Sequence, residues 1–136
     1  RLDLLHKLFQ GSAVEEIGMA TAVARRFNMV NPLPPYEYRK PIARRVNGNP
    51  FVWARNLLAN RVYQCPVVYM EPHVMNNVLT FSRVQAGSYE GTREFDGREV
   101  ENVFVEYADA VAKGLGDYFR AERGWEERNA QETDDD

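Results

Sequence analysis

The sequence is short of the residues from which metal and redox sites are built. It holds one cysteine, Cys65, and two histidines, His6 and His73, among 136 residues. A lone thiol excludes a disulfide within the chain. Two histidines far apart in sequence with one cysteine form no zinc constellation of their own, and Glu71-x-His73 is not a metal signature by itself. No window approaches the roughly 18 uninterrupted apolar residues of a membrane helix, so no membrane span is expected. Neither a phosphate-cradling glycine loop nor a G-x-S-x-G nucleophile elbow occurs. Net positive charge is missing as well: 20 acids outnumber 17 lysines and arginines, for a formal net charge of −3. With no recognition motif beside it, that balance argues against nucleic acid as a partner. No signal peptide is visible. The chain opens directly into the amphipathic pattern "RLDLLHKLF" and is expected to begin inside a longer protein.

Apolar residues make up 44% of the chain and aromatics 12%, enough for one packed domain. The acidity is local. Residues 126–136, "EERNAQETDDD", hold six acids and one arginine, which leaves residues 1–125 with a net charge of +2. The expectation is a folded unit over 1–125 and a disordered acidic tail over 126–136.

Leu2, Leu4, Leu5, Leu8 and Phe9 outline a short helix that Gly11 stops. Ser12-x-x-Glu15 is a capping box, in which each side chain satisfies a backbone donor of the next helix. Val14, Ile17, Ala20, Ala24 and Phe27 recur at helical spacing and predict a helix over about 13–28. "NPLPPYEYRKP" carries four prolines and reads as a long loop. "PFVWAR" reads as a strand, "NLLANR" as a helical turn, and "PVVYME" as a second strand without alternation, buried on both faces. "VLTFSRVQAG" predicts a helix closed by Gly87, and Asp96-Gly97 a hairpin turn. From Asn102 a stripe through Val103, Tyr107, Val111, Leu115 and Tyr118 predicts a long helix packed on the sheet. The fold class implied is α/β.

Glu71 is the leading candidate for chemistry. An apolar run delivers it to the end of a strand, and Pro72 stops the run. In α/β folds ligands bind in the crevice beyond the carboxyl ends of the strands, where a carboxylate serves as general acid or base. Its structural alternatives are to cap a neighbouring helix or to pair with an arginine. His6 reads as a boundary residue of its helix. "RKPIARR" gathers Arg39, Lys40, Arg44 and Arg45, either as a solvated loop or as a patch for an anionic polymer.

The order of "FVWARN", "CPVVYMEPHVMNN" and "EYADAVAKGLGDYFR" resembles the C-terminal part of the zinc-dependent N-acetylmuramoyl-L-alanine amidases, cell-wall hydrolases of the amidase_3 type. Phe51–Asn56 matches a strand of that family. Pro66, Val67, Val68, Glu71 and Asn77 fall in register on its P-A-V-L-V-E-x-G-F-x-x-N segment, and Ala108, Ala110, Ala112, Gly114 and Leu115 on its last helix. The resemblance spans roughly residues 12–120. His73 stands where the family has glycine, Val74 stands for its phenylalanine, and residues 85–102 look like an inserted hairpin.

That likeness implies a three-layer αβα fold with a mixed, mostly parallel sheet, of which residues 1–125 would be the C-terminal part. It implies a peptidoglycan hydrolase of the periplasm or cell envelope that cuts the amide between N-acetylmuramic acid and L-alanine. Glu71 would be the catalytic acid/base. The zinc would be held by residues upstream of residue 1, with no metal ligand in this chain. Arg45, Arg55 and Asn77 would shape the cleft or hold carboxylates of the stem peptide. Two other functions fit the same residues: a zinc-dependent amidohydrolase or carboxypeptidase-like enzyme acting on small N-acyl-amino acids, and a non-catalytic wall-binding domain.

Overall fold

The computed structural model describes residues 5–6, 9–30, 34–40 and 42–123. The acidic tail and most of the first expected helix lie outside the described residues. Helix α1 spans Ser12–Val30, followed by strands β1 (Ala43–Val46) and β2 (Asn49–Arg55) and a single helical turn, α2 (Ala59–Val62). Then come α3 (Val78–Gln85), β3 (Thr92–Phe95), β4 (Arg98–Glu101) and the long α4 (Val103–Arg123).

The strands form two separate antiparallel pairs, β1 with β2 and β3 with β4. This corrects the expectation of a three-layer αβα fold around a mixed, mostly parallel sheet. The reason lies in "PVVYME". Its residues belong to no strand, and Pro66 and Pro72 deprive both ends of a ladder donor. The Val67 N–H goes instead to the Glu16 carboxylate of α1, at 2.8 Å. Met70 packs on the core and His73 touches the core rings of Phe27 and Tyr107. They stand three positions apart, which is not the two-residue alternation of a pleated strand. Residues 66–74 therefore form a strap against the helices, outside any sheet.

The partner of β2 comes from the basic stretch. Asn47 and Gly48 take φ of 49° and 71°, and Asp96 and Gly97 take 53° and 71°. Two consecutive left-handed residues close a two-residue hairpin turn, whose twist matches that of the strands it joins. The second turn is the one anticipated at Asp96-Gly97. The first converts "ARRV" from loop into strand.

The core lies between the helices, because α4 packs on α1 and not on a sheet. Val23, Phe27 and Ala110 are buried together, with Met70, Tyr107, Val111 and Leu115 packed against them. The two helices run antiparallel, Gly18 against Tyr118 and Gly114 against Val23. Asp117 ties them. It receives two hydrogen bonds from Arg26, at 2.6 and 2.8 Å, and one each from Arg25 and Arg120. The Arg26 hydrogen bonds come first in holding the Asp117 carboxyl well below the usual carboxylate range.

The crossing explains Gly114. A Cβ there would lie 2.6 Å from the Val23 Cα, a backbone atom that cannot turn aside. Two residues on, on another face of the helix, a Cβ at Gly116 would meet only the flexible end of Arg120, at 3.4 Å. Both changes gain about 1 kcal/mol of helix propensity, but overpacking costs roughly 1–3 kcal/mol. Gly114→Ala is therefore expected to lower the urea midpoint and Gly116→Ala to raise it. Equal shifts for the two would mean that the helices do not cross this closely.

Candidate functional site

The site grows from the register of the first hairpin. Arg45 is paired directly across from Trp53, which places the guanidinium over the indole, 5.1 Å from the ring centroid. Two residues along β2 from Trp53, on the same face of the strand, stands Arg55. The proline-rich loop lays Tyr38 against both: its ring meets Trp53 edge-on at 5.0 Å, and the Arg55 guanidinium lies 5.3 Å from its centroid. Tyr36 stacks edge-on to Tyr38, also at 5.0 Å. Arg45 is further engaged by Glu37, at 3.1 Å.

Glu71 arrives on the strap. Its Oε2 accepts from Arg55 Nη1 at 3.2 Å and from the Tyr38 hydroxyl at 3.4 Å. Arg55 Nη1 also donates to the Tyr38 oxygen, at 3.3 Å, so the three groups form a closed triangle. Glu71 keeps 53% of its side chain exposed, and Arg55 27%. Among the described residues, no hydrogen bond is made to Glu71 Oε1. The pairing with an arginine is one of the structural alternatives that the sequence allowed, and it leaves half of the carboxylate open to solvent.

The triangle stands on the wall of an open cleft of about 900 Å³. Ile17, Ala24 and Phe27 of α1 line one side, Val52 and Trp53 of β2 the other, and the strap contributes Met70. This volume is in the range of small-molecule sites, about 300–1,000 Å³. His73 also lines the cleft. It is half-buried, with its ring 6.4 Å from Phe27 and 6.3 Å from Tyr107. Burial pushes its pKa below the ordinary 6.5, Glu106 opposes that shift, and Arg83 adds to it.

A folded-state value below the unfolded one means that the unfolded chain binds more protons as the pH drops through about 6.5. Stability from this residue is then present above that pH and declines on acidification. Between about pH 7 and 5 the unfolding midpoint is expected to fall less steeply in His73→Gln than in wild type. Parallel profiles would rule out a buried, neutral His73.

The structure brings Glu71, Arg55 and, through Trp53 and Tyr38, Arg45 into one constellation. Asn77 is elsewhere employed: its Oδ1 accepts from the Thr80 N–H at 3.0 Å, the N-cap of α3. His6 contacts Gln10 at 2.8 Å, one helical turn away. Two members escaped the sequence reading, Tyr38 and Trp53. The signal for Tyr38 was its two-residue spacing from Tyr36 in "YEY"; that for Trp53 was its place opposite Arg45 once Asn47-Gly48 is taken as a turn. Among the described residues no three His, Cys, Asp or Glu side chains converge to hold a metal ion. The donor set needed for zinc is thus not found among them. Comparison with family models, curated proteins and solved structures gave no significant match to this chain.

Proposed function

We propose that this chain forms the substrate-side part of a peptidoglycan hydrolase that cuts the amide between N-acetylmuramic acid and L-alanine. The observation that supports the reading best is the station of Glu71. It is a half-exposed carboxylate on the wall of a cleft of ligand size, with one oxygen oriented by two donors and the other in no hydrogen bond among the described residues. A general base needs that combination of fixed direction and open access. Glu71 takes a proton from the attacking water and passes it to the leaving alanine amine. In the resting site Arg55 and Tyr38 hold the carboxylate, and Tyr36, Tyr38 and Trp53 offer apolar ring surface to the sugar. Work on the cell wall places such a protein in the periplasm or cell envelope.

The test is to incubate the protein, expressed from its complete reading frame, with purified peptidoglycan and to follow soluble products by mass spectrometry. Released peptides that begin with a free L-alanine amine are the expected result. Binding to the wall without release would retire the hydrolase reading in favour of a wall-binding module. Turnover of small N-acyl-amino acids alone would point to an amidohydrolase of narrower substrate.

A further inference from the structure

Arg55 makes a poor resting partner for Glu71. A guanidinium grips a carboxylate best as a fork, with two parallel N–H donors on the two oxygens. Here a single nitrogen, Nη1, reaches a single oxygen, Oε2, at 3.2 Å, and shares itself with the Tyr38 hydroxyl at 3.3 Å. Among the described residues, the Nη2 and Nε donors of Arg55 make no hydrogen bond. By contrast, Arg83 meets the Glu106 carboxylate with both terminal nitrogens, and Arg26 grips both oxygens of Asp117. The Arg55 cation is retained in place by the Tyr38 ring beneath it, so it does not depend on Glu71 for its position. It is 27% exposed at the edge of the cleft.

We propose that Arg55 is a carboxylate-exchange residue: an acyl-peptide ligand bearing a free carboxylate takes the fork of Arg55 and displaces Glu71. The inference rests on the amidase reading for what Glu71 then does. Bound to Arg55, Glu71 has part of its charge neutralised and one oxygen occupied. Once a ligand carboxylate occupies the guanidinium, that oxygen is freed for proton transfer. Ligands that carry a carboxamide at the same position leave the pair closed. Specificity for free-acid stem peptides thus follows from a trade between two carboxylates on one cation, with Tyr38 holding the cation throughout.

The experiment titrates the protein from its complete reading frame with N-acetylmuramoyl-L-alanyl-D-glutamate and with its terminal carboxamide. Affinity is read by calorimetry, and the Glu71 side-chain carboxyl ¹³C shift by NMR. Wild type is expected to prefer the acid by about tenfold, in keeping with the strength of charge-assisted hydrogen bonds. The Glu71 signal should move with the acid and stay still with the amide. In Arg55→Gln the preference should shrink below about twofold while amide binding is retained, and Arg55→Lys should restore only part of it, having charge without the fork. Equal wild-type affinities, or an equal loss of both ligands in Arg55→Gln, would overturn the exchange. Peptide release from peptidoglycan with no acid preference sinks the exchange alone. An acid preference with no peptide release sinks the amidase reading alone.

Discussion

Replacing Glu71 with glutamine is expected to cut the rate of peptide release by about 10²–10⁴-fold, the contribution of a positioned general acid/base. The substitution keeps the side-chain volume but removes the group that accepts and returns the proton. Glu71 lies on the strap, away from the buried α1–α4 contact, and is half-exposed. The variant should therefore unfold within about 0.5 kcal/mol of wild type, as surface changes do. The loss belongs in kcat, because the missing group accepts and returns the proton in the transition state. Under the exchange argued above, the preference for acid over amide ligands should persist or grow in this variant, since Arg55 no longer has to release a carboxylate to take the ligand's. A variant that releases peptide at the wild-type rate would remove Glu71 from the chemistry.

Some of this architecture was legible from residue pattern. The helical recurrence from Val14 to Phe27 and the stripe from Val103 to Tyr118 became α1 and α4, because a 3.6-residue period has no other regular explanation. Asp96-Gly97 announced its hairpin. Asn47-Gly48 carries the same signal and was passed over, because the basic residues ahead of it read as loop. The larger error was topological. "VVYM" is an apolar run without alternation, and such a run looks the same in a buried strand and in a strap held by side chains. The prolines at 66 and 72 were the evidence against a central strand. Within the site, Glu71 could be picked out because it stands alone at the end of that run. Its triangle with Arg55 and Tyr38 depends on a hairpin register and a loop path, which no local pattern encodes. Arg83 and Glu106 are 23 residues apart and gave no sign of one another.

Those two residues carry the largest expected effect on stability. Arg83 and Glu106 expose only 6% and 8% of their side chains and meet at 2.7 Å and 3.3 Å. Arg83 Nη2 also donates to the Glu101 carbonyl at 3.2 Å, which clips α3 to the junction of β4 and α4. Its Nε is buried with no hydrogen-bond partner, so the cation already lacks one acceptor. Glu106→Gln would leave it without a counter-charge, and an orphaned buried charge costs about 3–5 kcal/mol. Small domains are stable by about 5–15 kcal/mol in all, so this one change should bring the protein near its unfolding threshold. Glu37→Gln, which breaks the exposed Arg45 pair, should cost below about 1 kcal/mol. Removing both buried charges, as Arg83→Met with Glu106→Leu, should recover most of the loss, because the desolvation penalty disappears along with the attraction. The same change reaches the cleft: without Glu106, the charge that opposes the downward shift of His73 is gone, so His73 should titrate lower still. Urea midpoints of the four proteins would test the ordering. A Glu106→Gln variant within about 1 kcal/mol of wild type would mean that water reaches Arg83 and that the pair is not sealed.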